Sequence, residues 1–155
     1  LLVRETLAKL SPADRALLPD VMPTIDGLVQ RVAELAQSLH RLDGDISPAQ
    51  LDAIESRLRL VEAEPATAPD HERKLQLLQR QRASVVELME KRSTLAAQME
   101  SAQLVLQNLK LDLIKLRSKG VGAAIGEVST ATQEARVLSR DIANALHAAA
   151  EVRGL

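Results

Sequence analysis

The chain has 155 residues, enough for one domain with a real core, and it contains no Phe, Tyr, Trp or Cys. Without Cys there are no disulfides, no thiolate metal sites and no Cys nucleophile, which fits a reducing compartment and sets the expectation of a cytoplasmic protein. Twenty Lys and Arg against 21 Asp and Glu give a net charge of −1, so no whole-molecule field attracts nucleic acid or anionic lipid.

Usage rich in Leu, Ala, Val, Arg, Glu and Gln is that of helical bundles and coiled coils rather than of β-sheets. No run of eighteen apolar residues and no signal-peptide pattern is present, so no membrane span is expected. The chain opens on Leu1 rather than Met and reads as a piece of a longer protein.

Residues 1–23 read as an irregular helical segment. Ser11 followed by Pro12 is a start signal, an N-cap hydroxyl before a proline at the first helical position, with Asp14 near the positive end of the dipole. Pro19 and Pro23 each remove an amide hydrogen, which predicts that this helix is broken.

A bundle is expected over 24–155. Its first helix spans 24–42, with Thr24 as N-cap, Ile25, Leu28, Val32, Leu35, Leu39 and Leu42 at alternating spacings of three and four, and Gly44 as a left-handed C-cap. Ser47 with Pro48 repeats the start signal for a helix over 48–63, whose stripe is Leu51, Ile54, Leu58 and Val61. Asp70 then caps a helix over 70–118.

That third helix has no Pro or Gly and, at about 1.5 Å per residue, would be roughly 70 Å long. Its seam reads Leu78, Gln81, Val85, Leu88, Arg92, Leu95 and Met99, continuing through Ala102, Leu106, Leu109, Leu113 and Leu116. Over 104–116 the apolar face widens with Leu104, Val105, Leu111 and Ile114 and needs covering from more than one side. A last helix over 122–153 carries Val128, Ala131, Ala135, Leu138, Ile142, Ala145, Ala149 and Val152. Its alanines allow close approach of two axes, and the short connection at Gly120 to Gly122 predicts that it doubles back. The fold expected is all-α, an elongated antiparallel bundle built on this long, coiled-coil-like helical hairpin.

Charge is uneven along the chain. The stretch 43–72 is acidic and the long helix carries excess Lys and Arg, so the two should attract one another.

Chemistry-bearing constellations are sparse. Gly120, Gly122 and Gly126 beside Lys119 follow a helix rather than a strand and lack phosphate-loop spacing, which favours a hairpin turn with one glycine packed closely in the next helix. His40, His71 and His147 lie on separate segments with no ligand spacing, so no metal site is expected. The basic residues Arg73, Lys74, Arg80, Arg82, Lys91 and Arg92 do not share one stripe, and no aromatic is present to stack on a base, so no nucleic-acid partner is expected. Arg92 in the seam must find a partner or extend past the edge of the core, and with Gln81 it could set the register or partner choice of a coiled coil. No catalytic or cofactor-binding residue is assigned. The candidate interaction seam is Leu78, Gln81, Val85, Leu88, Arg92, Leu95 and Met99.

Three stretches, LLPDVMPTIDGLVQRVAELAQSLHRLD, LQNLKLDLIKLRSKGVG and TATQEARVLSRDIANALHAAAEVR, resemble the helical region that follows the catalytic domain in some bacterial serine/threonine protein kinases. The glycine-rich loop, strand lysine, HRD loop and DFG site of such kinases are absent here. The resemblance therefore implies a non-catalytic regulatory or dimerising part of a signalling protein, with ATP and Mg²⁺ belonging to a catalytic domain elsewhere. Its partner would be a second copy or the parent chain's other domain. A structural coiled-coil adaptor or scaffold with no kinase attached is the alternative, and a bundle enclosing a cofactor is a third reading that the apolar seams disfavour.

Overall fold

The computed structural model describes residues 2–16, 18–119 and 121–153, and among them every regular element is helical. In chain order these are α1 (Leu2–Ala8), α2 (Pro12–Ala16), α3 (Val21–Asp45), α4 (Pro48–Ala63), α5 (His71–Lys119) and α6 (Val121–Arg153). The all-α expectation holds. The glycine at the predicted turn, Gly120, lies outside the described residues.

The start signals act as their chemistry requires. Ser11 Oγ accepts a hydrogen bond from the Asp14 amide at 3.1 Å and donates to its carboxylate at 2.7 Å, satisfying an amide that lacks an intrahelical partner. At the start of α4 the Ser47 amide donates to Gln50 Oε1 at 2.9 Å, half of a capping box, with Pro48 at the first helical position. Asp70, immediately before α5, takes φ 59°, a left-handed conformation that Asp tolerates better than most residues. Its carbonyl accepts the Lys74 amide at 2.9 Å, which opens the helix.

Two boundaries of α3 differ from the sequence reading. The helix begins at Val21 rather than at Thr24: the Asp20 carbonyl accepts the Thr24 amide at 3.2 Å, and Thr24 is buried inside the helix. Pro23 is tolerated because it falls in the first turn, where amide hydrogens have no intrahelical acceptor. At the other end Gly44 is helical rather than a left-handed cap, and α3 runs on to Asp45. The next amide, that of Ile46, donates to the Leu42 carbonyl at 3.0 Å, and the buried Ile46 side chain anchors the extension.

The helices divide into two compact units, one made of Leu1–Gln37 with Leu95–Leu155 and the other of Ser38–Thr94. The first holds a substantial core. Leu7, Leu10, Leu18, Val21 and Ile25 pack with Leu109, Leu113 and Leu116 of α5 and Val128 and Ala131 of α6. Leu28, Leu35, Leu95, Ala102, Ala135 and Ile142 of the same unit are also buried. Thr132 is buried there without an unmet hydroxyl, because its Oγ1 donates to the Val128 carbonyl at 2.7 Å. Contacts between α5 and α6 progress in opposite directions along the two helices. Lys115 pairs with Glu127 at 3.1 Å, whereas Ser101 and Val105 share a groove with residues up to Asp141.

The second unit is thinner, with Leu42, Ile46, Leu58 and Val61 as its buried apolar residues. Here the predicted charge attraction is realised. Arg82 pairs with Glu55 at 3.1 Å, Lys74 with Glu64 at 3.4 Å, and Arg92 with Asp43, each joining the long helix to the acidic stretch.

Candidate functional site

The seam predicted on α5 is covered unequally. No side chain in residues 71–94 of α5 is buried: Leu78, Val85 and Leu88 are half-buried, and Gln81 and Arg92 are exposed. In the other unit Leu95 is buried and Met99 half-buried. Arg92 thus extends past the edge of the core and meets Asp43 in solvent.

Within the second unit α4 lies along one flank of the half-covered stretch and leaves a groove between the two helices. Gln50, Ala53, Ile54, Arg57, Leu60 and Val61 line it from α4, at spacings of three and four that place them on one helical stripe. From α5 come Lys74, Leu77, Leu78, Gln81, Ser84 and Val85, another single stripe. Three of the predicted seam residues, Leu78, Gln81 and Val85, therefore meet in this groove. Leu88, Arg92, Leu95 and Met99 do not line it.

The groove is open and apolar at its most exposed points, with Leu60 at 70% and Leu77 at 53% exposure. Sequence reading missed both residues. Leu77 adjoins the seam residue Leu78 and Leu60 adjoins Val61, each just off the stripe that the spacing of three and four selects, so periodicity gave no signal for either.

Charge at the groove is lopsided. Lys74 is matched by Glu64, but Arg57 and Arg80 are exposed and have no ion-pair partner among the described residues. The rim carries two free guanidinium groups over an apolar lining.

His40 is exposed at the end of α3, His71 is half-buried at the start of α5, and His147 pairs with Glu151 at 3.3 Å, one turn away on α6. Among the described residues no group of three or more His, Asp and Glu is placed to hold a metal ion. Gly126 does not serve close packing, since a Cβ there would meet nothing within 4 Å. No described helix is long and apolar enough to cross a membrane. No family model matches the sequence, and no curated protein or solved structure matches it.

Proposed function

We propose that this chain is a non-catalytic protein-interaction region, the regulatory or dimerising part of a bacterial serine/threonine kinase-like signalling protein of the cytoplasm. The observation that carries the interaction reading is the open groove of α4 and α5, where Leu60 of α4 and Leu77 of α5 stand exposed in a lining shared with half-buried Leu78 and Val85. Exposed leucines scattered singly need no explanation, whereas leucines gathered along one interhelical groove mark a surface fitted to another helix. The kinase connection rests on the resemblance of the three helical stretches alone.

The physical mechanism is one of concentration. A contact that holds two catalytic domains together raises the effective concentration of each for the other and favours phosphorylation in trans. ATP and Mg²⁺ belong, in this reading, to the catalytic domain and not to this segment.

The test has two arms. Light scattering on the 155-residue chain over a wide concentration range reads self-association, and binding to the parent chain's other domain reads the second kind of partner. Deleting residues 70–155 from the parent is expected to slow autophosphorylation at dilute protein. Unchanged autophosphorylation would remove the kinase-linked reading and leave the helical adaptor.

A further inference from the structure

The other unit contains a second groove of similar build and opposite charge. It lies between α5 and α6, and its apolar lining is Val105, Leu111, Ile114, Ala131, Val137 and Leu138. Leu111 and Val137 are 55% and 44% exposed, so this is the widened face of α5 left partly bare. Asp112, Glu127, Glu134 and Asp141 line the groove. Lys115, its basic residue, is already matched by Asp112 and Glu127. Glu134 and Asp141 are exposed and have no ion-pair partner among the described residues.

We propose that these two grooves are the halves of a contact between copies of this chain, the basic groove of one copy receiving the acidic groove of another. The inference rests on the interaction reading above and names its partner. At about 1.5 Å per helical residue the basic groove runs about 17 Å and the acidic groove about 22 Å, so the first fits within the length of the second. Each presents exposed apolar side chains that water now covers, which supplies the driving force. Charge then sets which faces meet. Basic groove on basic groove would bring Arg57 and Arg80 against their own copies, and acidic on acidic would do the same for Glu134 and Asp141. Only the unlike pairing matches free cations to free anions, which is how specificity is obtained from repulsion as well as attraction. A contact between two different patches closes when the rotation relating the copies closes, and otherwise continues into chains.

The experiment uses the whole 155-residue chain and two charge-reversed forms, Arg57→Glu with Arg80→Glu, and Glu134→Arg with Asp141→Arg. All four positions are exposed, so folding is expected to survive, and circular dichroism at matched concentration checks that it does. Sedimentation equilibrium is expected to show association of the unaltered chain that weakens between about 0.05 M and 0.5 M NaCl, as screening shortens the reach of charge. Each reversed form alone is expected to associate at least about tenfold more weakly. Mixed together, they are expected to associate about as strongly as the unaltered chain, because the mixture restores an acidic groove opposite each basic one. Association that survives both reversals would overturn this pairing while leaving an interaction region that uses another surface. A monomer at every concentration would also overturn it, and binding to the parent's other domain would then decide the broader reading by itself.

Discussion

Arg92, on the long helix, donates through Nε to the carboxylate of Asp43 near the end of α3, a pair 49 residues apart in sequence. Both side chains are about half exposed, at 47% and 49%. The pair therefore aligns α3 and α5 within the smaller unit without burying charge, and its geometry matters more than its energy. A double-mutant cycle with Arg92→Ala and Asp43→Ala is expected to return a coupling of about 0–1 kcal/mol, the range of solvent-screened ion pairs. Denaturant unfolding measures it. A coupling above about 3 kcal/mol, the size seen for buried pairs, would show that the pair is not the solvated contact described here.

The α5 residues Leu111 and Leu113 are two apart, and the structure gives them opposite fates. Leu113 is fully buried in the larger unit's core, whereas Leu111 stands in the acidic groove, 55% exposed. Leu113→Ala is expected to cost about 2–5 kcal/mol, the transfer term plus the cavity left in a packed core. Leu111→Ala is expected to change the stability of the monomer by no more than about 0.5 kcal/mol. Urea midpoints of the two variants, at a concentration where the chain is monomeric, distinguish them, and equal losses would contradict the assigned burial.

Alanine at position 135 is fully buried on α6, which is where the alanine-rich seam was expected to let helices approach. Space there is set by the methyl group. Ala135→Leu is expected to cost about 1–3 kcal/mol through overpacking, with a lower urea midpoint as the readout. Ala150→Leu, on an exposed position of the same helix, serves as the control and is expected to be near neutral.

How much of this was legible in the sequence depends on what periodicity can report. Spacings of three and four say which residues share a face, and they located the helices because each face carries enough Leu, Ile and Ala to need burial. The Ser11–Pro12 and Ser47–Pro48 signals fixed two helix starts, since a side-chain acceptor and a missing amide both suit the first turn. Periodicity does not say what lies over a face. Leu78, Val85 and Leu88 have the same spacing as Leu95, Leu109 and Leu113, yet the first three stay half-covered because α4 flanks that part of α5 without closing over it. The groove residues Leu60 and Leu77 were missed because each lies just off the stripe that the spacing selects. Pro23 and Gly44 misled because both are usual helix breakers. A first-turn position excuses the proline, and the buried Ile46 draws the helix on past the glycine.

Gly44 supplies a direct check on that last point. Its φ is not in the left-handed region, it lies within α3, and an added Cβ would meet nothing within 4 Å. Alanine there keeps the native backbone and narrows the unfolded ensemble, so Gly44→Ala is expected to stabilise by about 0.4–1 kcal/mol. Were Gly44 the left-handed cap its neighbours Asp43 and Asp45 suggest, the same change would destabilise. The sign of the shift in urea midpoint decides between the two geometries.

Lys115 makes the pH dependence of the larger unit predictable in sign. Its ammonium donates to Glu127 at 3.1 Å and to Asp112 at 3.2 Å, and the first of these does most to raise its pKa above the usual lysine range. A group bound more tightly to its proton in the folded state stabilises that state wherever the unfolded chain would also be protonated. The contribution is thus fully present below about pH 10.4, the unfolded value, and is lost as pH rises through the higher folded value. Glu34 runs the other way. Hydrogen bonds from Arg31 and then Gln30 lower its pKa, so its contribution is present above about pH 4.3, the unfolded value, and lost as pH falls through the lower folded one. Following the Lys115 side chain by NMR is expected to place its titration above the ordinary lysine value. Glu127→Gln should bring it back further than Asp112→Asn, because the bond to Glu127 contributes the larger share. A Lys115 titration unmoved by either change would mean that the contact across α5 and α6 is not held in solution, and the acidic groove those helices line would lose its fixed shape.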